Sequence, residues 1–271
     1  MEKDCSNESQ DRTWHTSVAG PEDGHIVLLV HGFPLSKRLW DQIIGPLGDA
    51  GYRVIAPDLR GFGDSEPASA FSLGDLAGDL QCVLRDVGQW DGRRRVTYIG
   101  LSMGGYIAFE FYRRFGHQLH SLVLMDTRAE ADTPEAAEGR RAAAQKVLDT
   151  GHAGLVADDM LDKLFGPSAS PALKQEWYDI MSGTSPITVA AALCAMADRP
   201  DSYSMLPSIS CPTLVMVGRD DAITPPEGAG HMQQAIGSNA NLCVIETSGH
   251  MTPVEQPEAC ANALISWLES L

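Results

Sequence analysis

The chain has 271 residues, 44% of them hydrophobic and 21% charged, which is the composition of a soluble globular protein with one large core. Its formal net charge of −16 produces a field that repels phosphate, which argues against nucleic acid or anionic membranes as partners. No stretch is long and apolar enough to span a bilayer, and the first ten residues lack the basic and apolar regions of a signal peptide. We therefore expect a cytoplasmic protein in which residues 1–271 form a single domain.

The six cysteines, at positions 5, 82, 194, 211, 243 and 260, include no Cys-x-x-Cys pair. Several lie in apolar segments, where a free thiol behaves as a small hydrophobic side chain. This distribution predicts neither a disulfide nor a metal site, and the chemistry inferred below needs no cofactor.

Apolar strand-like segments alternate with helix-like segments along the first half of the chain. In order, they are a strand at 14–18, a strand at Ile26–Val30, a helix near 40–50, a strand at 54–57, a helix at 73–87, a strand at 96–100, a helix from Tyr106 and a strand at 122–126. Such alternation predicts an α/β fold, in which a mostly parallel, doubly wound sheet carries helices on both faces. The segment before His25 is too short for more than about one strand.

Gly100-Leu101-Ser102-Met103-Gly104 stands between a β-branched strand and an apolar helix. A G-x-S-x-G turn in this context holds its serine at a strained corner, with the hydroxyl projecting free of the sheet. The pattern predicts that Ser102 is a nucleophile.

A serine hydroxyl needs a histidine to remove its proton and an acid to orient that histidine. Asp220 and Asp221 follow an apolar strand at 212–217, and His250 follows another at 242–245. Loops at the carboxyl ends of parallel strands gather on one edge of the sheet. The order and placement therefore predict that an aspartate and His250 meet Ser102.

The strand Ile26–Val30 ends in His31-Gly32-Phe33-Pro34. Acyl transfer needs two backbone N–H groups for the developing oxyanion, one following the nucleophile and one from an early strand-to-helix loop. Met103 and Phe33 fit these two positions, whereas Pro34 has no N–H. His31 is a second candidate base, but at this position it is better suited to fix the loop through hydrogen bonds.

The pattern changes between residues 127 and 208, where no strand interrupts a series of helical signals. Three helix starts combine a capping residue with proline, at Thr133-Pro134, Ser170-Pro171 and Ser185-Pro186. We therefore expect a helical cap inserted between two strands of the sheet, above the edge that carries Ser102.

These motifs resemble those of the α/β-hydrolase family, from about His25 to the C-terminus. The resemblance is carried, in the expected order, by His31-Gly32-Phe33-Pro34, the segment 58–65 (Asp-Leu-Arg-Gly-Phe-Gly-Asp-Ser), the segment 100–105, and the pair of Asp221 with Ser248-Gly249-His250. It implies the α/β-hydrolase fold, with Asp221 as the triad acid and Asp220 facing solvent. Asp126 lies where some family members keep their acid, and is the reserve candidate.

The pattern is similar to that of small carboxylesterases, enol-lactonases and hydrolases of acyl-homoserine lactones. This similarity implies hydrolysis of a small ester or lactone through an acyl-enzyme on Ser102, and a serine nucleophile is incompatible with the epoxide or halide chemistry of relatives that use aspartate. A perhydrolase side activity stays open, as do a ligand receptor, a lyase on the same fold and a homodimer.

The helix that starts at Ser170 presents an apolar stripe of Leu173, Trp177, Ile180 and Met181. Such a stripe either packs in the core or forms the wall of an acyl pocket. Beneath a cap, the second interpretation predicts substrate contacts from Leu35, Trp177, Met181 and Met251, with Met196 as a further candidate, and an uncharged acyl group of short to medium length.

Overall fold

The computed structural model describes residues 13–271, and within that range seven strands form one sheet. The strands are β1 (Thr16–Ala19), β2 (Ile26–Val30), β3 (Arg53–Pro57), β4 (Val96–Leu101), β5 (Leu119–Met125), β6 (Thr213–Gly218) and β7 (Ala240–Ile245). Their order is β1-β3-β2-β4-β5-β6-β7, with β1 antiparallel to β3 and every other pair parallel. The α/β fold expected from the sequence is confirmed. The expectations for residues 1–10 and Cys5 lie outside the described residues.

Ten α-helices connect or follow these strands within the described range. They are α1 (Asp41–Asp49), α2 (Leu73–Asp86), α3 (Met103–Phe115), α4 (Pro134–Thr150), α5 (Gly154–Leu164), α6 (Pro171–Ser182), α7 (Pro186–Ala197), α8 (Pro226–Ile236), α9 (Thr252–Glu255) and α10 (Pro257–Leu268). Local sequence explains several of the boundaries. For example, Ser72 and Asp75 form a reciprocal capping box at the start of α2.

The core has two layers, one on each face of the sheet. Along β2, Ile26, Leu28 and Val30 belong to the cluster that includes side chains of α2, α3 and α8, while Val27 and Leu29 belong to the cluster that includes side chains of α1 and α10. Successive side chains of a strand point to opposite faces, so a strand covered by helices on both sides is apolar throughout. This is why the buried strands appear in the sequence as continuous apolar runs.

Four helices, α4 to α7, lie between β5 and β6, in a segment that the structure describes completely. Three begin at the predicted Pro134, Pro171 and Pro186, but α5 was missed. Gly151 ends α4 in the left-handed conformation, with φ of 64°, and α5 begins three residues later without a side-chain cap. The three predicted helix starts are confirmed, and the fourth was missed because a helix that restarts without a capping residue has no local signal.

None of the described helices has, by itself, the length and apolarity of a membrane span. The pair α6 and α7 reaches those limits only when taken together, across a bend of 93°.

Candidate active site

Ser102 forms the corner between β4 and α3, with φ of 54° and ψ of −113°. A positive φ at a residue with a side chain costs about 1–3 kcal/mol, so the surrounding structure must hold it. Two hydrogen bonds do so: the Ser102 N–H donates to Met125 O at 2.9 Å, and Thr127 Oγ1 donates to Ser102 O at 2.8 Å. The serine is partly exposed, while the residues on either side of it are buried.

The helix begins at Met103 rather than at Tyr106, because the turn is tighter than the sequence suggests. A Cβ atom on Gly104 would lie 2.3 Å from the carbonyl oxygen of Val30, so only glycine fits there. Two glycines in the first turn of α3 hide its start from helix propensity, but Gly104 lets α3 approach β2 and Gly105 lets it approach Thr127.

Asp221 and His250 meet directly. The Nδ1 atom of His250 lies 2.8 Å from Oδ2 of Asp221, and both side chains are buried. Thr224 Oγ1 also donates to Asp221 Oδ2, at 2.6 Å, and the N–H groups of Ile223 and Thr224 donate to Oδ1 at 2.8 and 2.9 Å. Burial opposes ionisation of Asp221, but His250 and these donors outweigh it and lower its pKa.

An ionised carboxylate only accepts hydrogen bonds, so Nδ1 of His250 donates to Asp221 and Nε2 is left to accept a proton. That is the tautomer a general base needs. Asp220, by contrast, is exposed, and Asp126 makes no hydrogen bond to His250.

Glu255 fixes the loop that carries His250, and sequence reasoning missed this role. Its two carboxylate oxygens accept the N–H groups of Gly249 and Gly166, each at 2.8 Å. The His250 N–H donates to Leu164 O, also at 2.8 Å. Gly166 and Leu164 belong to the cap, so the cap and the histidine loop are joined through the main chain.

His31 has the structural role expected of it. It is fully buried, its Nδ1 donates to Gly32 O at 2.8 Å, and its Nε2 accepts the N–H of Leu59 at 3.0 Å. Burial lowers its pKa. These bonds hold Gly32 against the nucleophile corner, where an added Cβ would lie 3.1 Å from the Cβ of Ser102.

The N–H groups of Phe33 and Met103 donate no hydrogen bond within residues 13–271. Met103 is the first residue of α3, where main-chain N–H groups have no partner inside the helix. The two predicted oxyanion donors thus have no partner among the described residues, as an oxyanion hole requires, and their role stays a prediction.

The motif at residues 58–65 also has a structural role. Asp58 accepts the N–H of Lys37 at 2.8 Å, the Lys37 Nζ at 2.5 Å and the N–H of Asp64 at 3.0 Å. It therefore ties the loop after β3 to the loop after β2, which carries Phe33.

The predicted substrate contacts Leu35, Trp177, Met181 and Met251 belong to one hydrophobic cluster, in which each is at most 4% exposed. Met196 lies in the other cluster, with Phe33 and Met103. A cavity of about 490 Å³ is present, but it lies between residues 69–74 and helices α4 and α7, and no candidate site residue lines it. The substrate role of the four residues stays a prediction, since burial of this degree also suits core packing.

No three His, Cys, Asp or Glu side chains of the described residues are grouped as metal ligands would be. The arrangement at this sheet edge provides a serine, an imidazole and a buried acid.

Comparison with known proteins identifies the family to which this fold belongs. The family model of the alpha/beta hydrolase fold matches residues 25–257. A solved esterase from Thermogutta terrifontis is 40% identical, with a TM-score of 0.89, and the match covers 95% of this chain and 93% of that one.

Two curated relatives are more distant. A pimeloyl-(acyl-carrier protein) methyl ester esterase of Vibrio atlanticus is 26% identical over 271 residues, covering 94% of this chain and 97% of its own. The 3-oxoadipate enol-lactonase 1 of Acinetobacter baylyi is 26% identical over 266 residues, covering 97% and 95%. The chain therefore belongs to the α/β-hydrolase family, and it is similar to that family's esterases and lactonases.

Proposed function

We propose that this protein is a cytoplasmic serine hydrolase that cleaves small carboxylic esters and lactones through an acyl-enzyme on Ser102. The observation that carries the proposal is the bond between buried Asp221 and His250, on the sheet edge where Ser102 forms its strained corner. The esterase from Thermogutta terrifontis, at 40% identity, supports the same chemistry.

In the proposed mechanism, Ser102 attacks the carbonyl carbon while Nε2 of His250 takes the hydroxyl proton. Asp221 stabilises the imidazolium that forms, and the N–H groups of Phe33 and Met103 bind the oxyanion. His250 then gives its proton to the leaving alcohol oxygen. In the second half, His250 removes a proton from water as the water oxygen attacks the acyl carbon. The bond between that carbon and Ser102 Oγ then breaks, His250 returns the proton to Ser102 Oγ, and the carboxylic acid leaves.

The ion pairs of two cap arginines favour an uncharged substrate. Arg140 pairs with Asp132 and Arg141 with Asp198, each at 2.6 Å, so neither cation is available to hold a substrate carboxylate. An acyl group of short to medium length fits the apolar side chains proposed as contacts. We therefore propose a broad range of neutral ester substrates.

Lactone hydrolysis as the main activity is the second candidate, because the Acinetobacter baylyi relative is an enol-lactonase. An enol-lactone that carries a carboxylate needs a cation at the site. Arg128 is placed to supply one, because it donates to the carbonyl of Ile223 in the loop of residues 219–225 that carries Asp221, which we call the acid loop. Comparing p-nitrophenyl butyrate with neutral and carboxylate-bearing lactones separates the two functions. Preference for the charged lactone, lost in Arg128→Gln, would favour the second.

The direct test is Ser102→Ala, with Ser238→Ala as control because Ser238 is exposed in the loop before β7, away from the site. We expect Ser102→Ala to lower kcat for p-nitrophenyl butyrate by about three to six orders of magnitude with the same melting temperature, and the control to keep full activity. A fluorophosphonate should label the Ser102 peptide in the unaltered protein. Activity that survives in Ser102→Ala, or a label on another residue, would refute the assignment.

A further inference from the structure

Asp126 and Thr127 directly follow β5, between the nucleophile corner after β4 and the acid loop after β6. Thr127 donates to the carbonyl of Ser102, as described above, while Asp126 faces the other way. Its Oδ1 accepts the N–H of Gly218 at 2.8 Å, and Gly218 is the residue from which the acid loop starts. The Asp221 N–H in turn donates to Gly218 O at 3.3 Å. The Asp126 carboxyl therefore anchors the base of the loop that presents the triad acid.

The other oxygen of this carboxyl is in an unusual position. Asp126 is fully buried, and its Oδ2 has no hydrogen bond of regular geometry to any described residue. Its neighbours are the Asp221 carboxylate, the Thr252 hydroxyl and, on α10, the Cys260 thiol.

Two ionised carboxylates cannot easily lie side by side without water or a cation, so one of them keeps its proton. Asp221 accepts four hydrogen bonds, one of them from His250, and these use its lone-pair positions. The Asp126 carboxyl accepts one hydrogen bond, from the N–H of Gly218. Negative charge is therefore far better stabilised on Asp221.

We propose that Asp126 is a positioning residue, a neutral carboxylic acid that anchors the acid loop through Gly218 and leaves Asp221 as the single negative charge behind His250. The directions of the two pKa values agree with this distribution of the proton. Burial, and then the charge of Asp221, raise the pKa of Asp126 well above its ordinary value, whereas the pKa of Asp221 is lowered. The part of the proposal that concerns catalysis rests on the proposed hydrolase function.

The test compares Asp126→Asn with Asp126→Ala. Asparagine has the shape of a neutral carboxylic acid, with one acceptor for the Gly218 N–H and one donor group. We therefore expect kcat to fall by only about twofold to fivefold. The acidic limb of the plot of kcat/KM against pH should not shift. Alanine leaves the buried Gly218 N–H without a partner and frees the loop. We expect this variant to lose about tenfold or more in kcat, with KM nearly constant.

Ser121→Ala is the matched control, because Ser121 is a fully buried polar side chain on the same strand but at its other end. It should leave kcat and the acidic limb in place. A loss in Asp126→Ala that the control shares would mean that general loosening of β5, not the anchor, is responsible.

Infrared difference spectra give a readout that does not depend on activity. The unaltered protein should show the carbonyl band of a protonated carboxylic acid at about pH 7, and Asp126→Asn should lack it. Absence of the band, or an acidic limb displaced by about one pH unit in Asp126→Asn, would show that Asp126 is ionised and overturn the proposal. A loss in Asp126→Asn as large as in Asp221→Asn would make Asp126 itself the acid. Failure of the hydrolase function would appear separately, as activity retained by Ser102→Ala.

Discussion

His25 lies just before β2, at the sheet edge opposite Ser102, and is part of a buried polar chain. Its Nε2 is 2.9 Å from Thr97 Oγ1, which is 2.7 Å from Ser121 Oγ, and its ring packs edge-on against His120 at 4.9 Å. Burial, then the charges of His120 and Arg94, lower the pKa of His25 from 6.5 to about 4. Folding therefore favours the neutral ring.

The sign of the effect on stability follows from proton binding. Between pH 6.5 and about 4 the unfolded chain protonates this histidine while the folded chain does not, so the free energy of unfolding falls as pH decreases through that window. A shift of this size corresponds to about 3.4 kcal/mol at most. Because the ring is only half-buried, solvent screening reduces our expectation to about 1–2 kcal/mol.

The perturbation is His25→Gln, which keeps a partner for Thr97 without a titrating ring. Urea unfolding of both proteins from about pH 7.5 to about pH 4.5 gives the difference in unfolding free energy, in which acid effects common to both cancel. We expect the unaltered protein to lose about 1–2 kcal/mol relative to the variant across this range, whereas His117→Gln, at an exposed position, should follow the unaltered protein. A difference that stays constant with pH would refute the reasoning.

The remaining predictions concern the site and the cap. Asp221→Asn should lower kcat by about a thousandfold or more, since the amide favours the wrong histidine tautomer, and exposed Asp220→Asn should change it by less than about threefold; equal effects would contradict the assignment. Glu255→Ala leaves two N–H groups without their acceptor and should cost about 2–4 kcal/mol in urea unfolding, with Glu258→Ala as an exposed control near zero. Trp177→Ala should lower the melting temperature, because the side chain is buried, and should also change the ratio of kcat/KM between octanoyl and acetyl esters; an unchanged ratio would remove Trp177 from the pocket.

The fold could be predicted because its signals are local. A strand covered on both faces must be apolar at every position, and β2, β4 and β6 are nearly so. Parallel strands then place their carboxyl ends on one edge. Ser102, Asp221 and His250 each follow the carboxyl end of a parallel strand, and this order predicted the contact between Asp221 and His250, while the catalytic role of the three stays a prediction.

The supporting groups could not be predicted, because their contacts are distant in sequence. Gly166 and Glu255 are 89 residues apart, and the Thr127 hydroxyl reaches a carbonyl 25 residues away. A threonine or glutamate with such a role looks like any other in the sequence. Helix α5 was not predicted for a related reason, because it starts without a capping residue and packing determines where it begins.

The structure differs most from the sequence prediction in how the cap contacts the loop that carries His250. The sequence predicts that the cap only covers a site formed by the rest of the domain. In the structure, however, the cap contacts the histidine loop closely: a Cβ on Gly249 would lie 2.7 Å from the carbonyl carbon of Phe165, and the His250 N–H donates to the carbonyl of Leu164. Met251, the next residue, packs in the same cluster as Trp177 of the cap. The cap therefore holds the main chain that carries the imidazole, in addition to the role that we propose for it in enclosing the substrate. Because one segment serves both purposes, a change in the connection between α5 and α6 should act on kcat and on chain-length preference together.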